Sequence, residues 1–204
     1  MAAALGSSQA MPLNEQQKAN LEADAEALNS TLCAAWRIFY LMQGLHRGAN
    51  EYPETLERCP GALPEIWRAQ FWTLVTCTGT ILDRTRNTQS LPALLARIRR
   101  YFGEGSDLSG LVADLEAQLR KPDGAFHKIE EWRHRVVAHN ARDGIDVFGD
   151  HPMDLDEIEA MLDELTRLIG EAIWNSIAVH YYHQKEASQE YAEHGRAMIK
   201  RIAS

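Results

Sequence analysis

The sequence predicts an all-α protein, an up-and-down bundle of about five to seven helices. Three observations lead there. Apolar residues recur at three- and four-residue steps through several long segments. Helix start and stop signals flank those segments. No stretch alternates polar and apolar residues in the manner of a strand. With 204 residues, the chain is long enough for one domain with a sizeable core. Residues 1–12 read as a flexible tail without the charged and apolar blocks of a signal peptide, and residues 13–204 as a single bundle domain.

The first helix is expected to start at Asn14, an N-cap with Gln17 at capping-box spacing. Leu21, Leu28, Leu32, Ala35, Phe39 and Met42 form its stripe, and glycines near 44–48 end it. Residues 51–61, with Pro53 and Pro60, read as a loop. A second helix is expected over 64–84, with Trp67, Phe71, Leu74, Thr78 and Leu82 inward and Asp83, Arg84 and Arg86 at its end. Ser90 caps a third, carrying Leu91, Leu94, Leu95, Ile98 and Phe102, and Gly103 stops it. A fourth spans about 107–120, with Leu108, Leu111, Val112, Leu115 and Leu119 inward.

Pro122, Asp123 and Gly124 make a turn, and the next helix runs to about His139 or Asn140. After an Asp- and Gly-rich loop, Asp154 and Glu157 form a second capping box, and Met153 with Ile158 has staple spacing. The helix that follows carries Ile158, Leu162, Leu165, Ile169, Ile173 and Ile177 towards Tyr181. A last short helix after Ala187 is expected to be anchored by Tyr191 and Met198. The five tryptophans mostly fall on apolar stripes and read as core.

Net charge is −8 and the pI about 5.5, which argues against a protein that coats long nucleic acid but leaves room for a small basic site. Three cysteines, Cys33, Cys59 and Cys77, fit no zinc or disulfide spacing and suit a reducing cytoplasm. Each reads as a small hydrophobe. No apolar run is long enough to cross a bilayer, so a cytoplasmic protein without a membrane partner is expected.

The unusual stretch is residues 127–140. With Phe126 at zero and about 100° per residue, Phe126, Ile129, Trp132, Val136 and Val137 share one side, and Arg133 lies in its middle. A cation on an apolar stripe needs a partner. Arg135 points roughly the opposite way, towards water. Two bland roles stand open: a carboxylate on another helix pairs with Arg133, and His139 caps the helix C-terminus.

The run Arg133-His134-Arg135-Val136-Val137-Ala138-His139 resembles the signature of the HEPN superfamily, an arginine and a polar residue followed by a histidine in an all-α bundle. The form here, together with Phe71-Trp72, Leu82-Asp83-Arg84, Ser90-Leu91 and Leu94-Leu95, is similar to the AbiU-like abortive-infection branch. The resemblance covers roughly the middle half of the chain. It implies a metal-independent endoribonuclease of a toxin or phage-defence system that works as a homodimer. Arg133 and His139 match the motif arginine and histidine, and His134 the polar slot, which often holds asparagine; these three are the expected catalytic residues. Arg135 and Asn140 are the expected substrate-binding residues. Residues from Asn140 on do not reproduce the His-Arg-Asp ending of many relatives, so Asp143 has no assigned role.

The chemistry suits these residue types without a cofactor or metal. The 2′-hydroxyl of RNA can attack its own phosphate, a histidine can move the proton near neutral pH, and a guanidinium can bind the phosphate. Six residues apart on a straight helix, Arg133 and His139 differ by about 9 Å in rise and about 120° in direction. Two such helices facing each other in a dimer would let each phosphate see residues from both chains. The expected partners are therefore RNA, with a tRNA loop as one selective target, a second copy joined through this helix, and an antitoxin protein. The alternative is a non-catalytic HEPN-like module that binds a nucleotide, a nucleic acid or a partner protein. A metal-binding bundle is a third class: Glu131 and His134, or His127, Glu130 and His134, have ligand spacing, but no second Glu-x-x-His occurs. The Arg97, Arg99 and Arg100 cluster reads as a solvated face.

Overall fold

The computed structural model describes residues 13–85, 88–103, 107–121, 124–134, 154–179 and 185–203. It is an all-α bundle, and no strand occurs among the described residues. Asn14 accepts a hydrogen bond from the Gln17 backbone at 2.8 Å and donates its own N–H to Gln17 Oε1 at 3.0 Å, the capping box the sequence predicts. The helix it opens, α1 (Glu15–Glu51), runs 37 residues, about 55 Å at 1.5 Å per residue. Leu21, Leu28, Leu32, Ala35, Phe39 and Met42 are all buried along it, so its stripe is the spine of the core.

The expected loop holds a short helix, α2 (Glu54–Arg58), with Pro53 at its N-cap, where the missing N–H costs nothing. Next comes α3 (Ala62–Ile81), which stops before the expected end at residue 84. Leu82 N–H donates to Thr78 at 3.1 Å, but Asp83 N–H turns back to Thr80 at 3.3 Å, so the helical ladder closes there. Ser90 caps α4 (Leu91–Phe102), and Gly103 at φ 76° ends it, as predicted. After α5 (Asp107–Leu119), α6 (Ala125–Trp132) carries Phe126, Ile129 and Trp132 into the core.

The second capping box, Asp154 with Glu157, opens α7 (Leu155–Ile177). Its staple partner Met153 lies outside the described residues. Lys128 of α6 reaches Glu157 at 3.1 Å and ties the two helices. The helix ends at Ile177, short of Tyr181, because Ala178 takes a left-handed conformation (φ 55°, ψ 31°). Two helices complete the chain, α8 (Lys185–Ser188) and α9 (Glu190–Ala203).

Two expectations about buried residues need correction. Tyr191 packs against the core as expected, but Met198 is 43% exposed; Ala192, Gly195 and Ile199 are the buried residues of α9. That helix is also the most extensive partner of α1. Glycines make the approach possible: a Cβ on Gly44 would run into the Ala192 carbonyl, and one on Gly195 would lie 2.6 Å from the Leu41 carbonyl oxygen. The tryptophans also divide. Trp36 and Trp132 are buried, Trp67 and Trp72 are half-buried, and Trp174 is 46% exposed. Of the cysteines, Cys33 is buried and Cys59 and Cys77 are intermediate.

No described helix is long and apolar enough to cross a membrane. One continuous core runs from α1 through α3, α4, α5, α6 and α7. Because backbone atoms meet at the α1–α9 crossing, Gly44→Ala is expected to cost about 1–3 kcal/mol, as overpacking does. A urea titration would read this as a lower midpoint, and an unchanged midpoint would show that α9 can shift freely on α1.

Candidate functional site

The C-terminus of α3 sets the geometry. A helix end leaves carbonyl groups without intrahelical donors and carries partial negative charge. Thr78 and Thr80 give their carbonyls to Leu82 and Asp83, as described above. Gly79 gives its carbonyl to the guanidinium of Arg133, whose Nη1 donates to it at 2.9 Å. Nη2 of the same side chain donates to Asp83 Oδ2 at 2.8 Å. The arginine therefore closes the end of α3 from a different helix.

Gly79 is needed for this. A Cβ there would collide with Cδ of Arg133 and lie 3.2 Å from its Cγ. The arginine stem lies flat across the glycine, and its polar head reaches the helix end and the carboxylate four residues on. Asp83 is itself pinned by Thr85, whose backbone N–H (2.8 Å) and hydroxyl (2.6 Å) both donate to Oδ1. Burial alone would push the Asp83 carboxyl up, but the hydrogen bonds from Arg133 and Thr85 outweigh it and hold the pKa down at about 2.

A second ion pair crosses the first in the opposite sense. Arg84, just after α3, meets Glu130 of α6 at 3.1 Å through Nε and 3.2 Å through Nη2. So each element supplies one cation and one anion to the other. At Arg133 and His134 the path of α6 widens into a π turn, a departure that is frequent at functional sites. Leu82, Asp83, Arg84, Thr85, Glu130, Glu131, Arg133 and His134 together line a pocket of about 420 Å³. The Arg133 side chain is 37% exposed at this pocket and Asp83 only 14%, so the carboxylate sits below and the guanidinium nearer to solvent.

A family model described as AbiU2, HEPN_AbiU2, matches residues 18–194. The chain belongs to this HEPN family. No curated protein and no solved structure matches it. The match runs from the first turns of α1 into α9, so the HEPN module is the whole bundle and not only its central part.

Of the residues singled out in the sequence of this HEPN module, Arg133 and His134 share the pocket. Arg135, His139 and Asn140 lie outside the described residues. Of the roles open to Arg133, the carboxylate pairing is present, and Asp83 is the partner. The apolar stripe of α6 is core as far as Trp132: Phe126, Ile129 and Trp132 are buried within the chain, with Trp132 edge-on to Phe71 at 5.0 Å. The cluster on α4 is not simply solvated. Arg97 pairs with the buried Asp24 at 2.6 Å and Arg99 with Glu116 at 3.3 Å, while Arg100 is exposed. Burial pushes the Asp24 carboxyl up against the pull of Arg97. Among the described residues no three His, Cys, Asp or Glu side chains come together as a metal cluster.

Sequence reading missed Gly79 and did not join Asp83 to Arg133. A glycine inside a strong helical pattern was the available signal, since such a residue often marks a close approach. Asp83 has a lowered pKa, so its stabilisation is present above the ordinary aspartate value of 3.8 and is lost as pH falls towards about 2. With the partial exposure of Arg133 taken into account, Asp83→Asn is expected to cost on the order of 1–2 kcal/mol at neutral pH. Urea titrations of both proteins should show that gap closing between about pH 4 and about pH 2; a gap independent of pH would contradict the pairing.

Proposed function

We propose that this HEPN module is a metal-independent endoribonuclease of a phage-defence or toxin system. In the proposed reaction, the 2′-oxygen attacks the adjacent phosphorus, the bond to the 5′-oxygen breaks, and that oxygen takes up a proton. The products are a 2′,3′-cyclic phosphate and a 5′-hydroxyl. Arg133 would hold the phosphate and steady its added negative charge, and His139 would move the proton. His134, in the polar slot of the motif, would assist them at the reacting phosphate, and Arg135 and Asn140 would contact the substrate around them.

The single observation that carries this reading is the placement of the motif arginine. It is fixed at the mouth of a pocket by two hydrogen bonds, and an arginine has five N–H donors in all. Fixing a cation before the substrate arrives is what electrostatic stabilisation of a transition state requires. A dimer that brings two copies of residues 133–139 together would let an arginine and a histidine meet one phosphate, which the spacing of residues 133 and 139 on a straight helix would not allow within one chain. A protein partner that blocks the pocket would serve as antitoxin.

One observation favours a second reading. Both of these partners of Arg133 lie within its own chain, which is what a non-catalytic HEPN module would need for stability alone. RNA cleavage by the purified protein separates the two. The nuclease reading expects cyclic-phosphate ends, cutting that survives a chelator, and a loss of about 10²–10⁴ in rate for His139→Ala with unfolding unchanged. Intact RNA after prolonged incubation with wild type would leave the binding module in its place. Light scattering at micromolar concentration tests the dimer, and a monomer that still cuts RNA would overturn the two-chain site.

A further inference from the structure

The pocket at Arg133 does not end at Arg84. Arg84 and Thr85 also line a neighbouring groove of about 490 Å³, whose other walls are Thr88, Pro92, Ala93, Ala96, Arg97 and Arg100. Three of its lining residues are arginines, and none of its described lining residues is acidic, in a chain of net charge −8. The groove follows one face of α4, where residues 93, 96, 97 and 100 fall three and four apart. Ala93 and Ala96 keep its floor low, so a strand can approach the helix backbone. The carboxylates that pair with two of the arginines lie outside the groove lining: Asp24 is buried behind Arg97, and Glu130 belongs to the neighbouring pocket. Arg100 stands exposed on the rim.

We propose that this groove is a track for the phosphate backbone of single-stranded RNA, leading from the Arg133 pocket over the turn after α3 and along α4. The proposal rests on the nuclease reading for the identity of the strand and adds where the strand runs. Arg84 bridges the pocket and the track, Arg97 is held in place by Asp24, and Arg100 meets the strand where it leaves the body. Contacts of this kind bind phosphate and not base, so they set affinity and register without reading sequence.

The test uses the full chain, a short unstructured RNA labelled with a fluorophore, and anisotropy over a range of salt. Arg100→Glu is expected to weaken binding on the order of tenfold and to flatten the logarithmic salt dependence by roughly one phosphate contact. Lys200→Glu, the same charge change on an exposed position of α9, should leave both nearly unchanged. In the cleavage assay Arg100→Glu should raise KM and spare kcat, because the residue is far along the strand from the reacting bond. If wild type binds and cuts RNA but Arg100→Glu matches it in affinity and salt slope, the track is wrong and the nuclease reading stands. If wild type cuts RNA and Lys200→Glu weakens binding as much as Arg100→Glu, the effect is one of net charge and the track is also overturned. If wild type neither binds nor cuts RNA, both proposals fall together.

Discussion

A guanidinium laid across a glycine is the contact on which the site depends. Arg133 reaches the end of α3 only because Gly79 has no side chain, and once there it satisfies a carbonyl that the helix cannot satisfy itself. The same fork engages Asp83, so one side chain caps a helix, pairs a carboxylate and joins two elements 50 residues apart in sequence. A lysine would not replace it, because a single ammonium cannot span the carbonyl and the carboxylate in the same planar geometry. Around this contact the other fastenings fall into place. Arg84 and Glu130 cross it, Lys128 carries α6 to the start of α7, and Trp132 packs its ring against Phe71 of α3. The position of α6, and so of Arg133 and His134, is set by these few residues.

Much of the fold was legible because it is written in local signals. Asn14 with Gln17, Ser90, Gly103 and Asp154 with Glu157 each mark a helix boundary through hydrogen bonds that reach no more than four residues. The stripes on α1, α4 and α7 are also local, since each follows from helical periodicity alone. Where expectations about burial failed, the cause was non-local. Met198 sits at the right spacing to be buried, but Gly44 and Gly195 turn a different face of α9 towards α1. Trp174 lies on a helix with enough other apolar residues to fill its contact, so its ring stays partly in water.

The site divides along the same line. Arg133 and His134 stood out because a cation interrupts an apolar stripe, which periodicity reveals. Its partner did not, because nothing in a linear pattern connects residue 133 with residues 79 and 83. Asp83 and Arg84 looked like ordinary residues at a helix end, and an argument from the helix dipole does not reach the side chains they pair with, Arg133 and Glu130. The dipole favours a cation at that end, and the cation that arrives is Arg133 from α6.

The pairing with Asp83 bears on function in two opposing ways. It fixes the guanidinium in advance, which saves a substrate the entropy of ordering a long side chain. It also keeps a negative charge beside the place where a phosphate would bind. At about 6 Å and an effective dielectric near 20, that repulsion is roughly 3 kcal/mol, comparable with what one charge-assisted hydrogen bond returns. An Arg133–Asp83 pair alone is therefore close to neutral as a phosphate site. In the proposed track the balance would come from cations whose own carboxylates lie outside the groove lining, as the carboxylate paired with Arg97 does. On this account binding is spread along a strand and not concentrated at one phosphate. A free nucleotide, which cannot reach both pocket and groove, would be held poorly by the same residues.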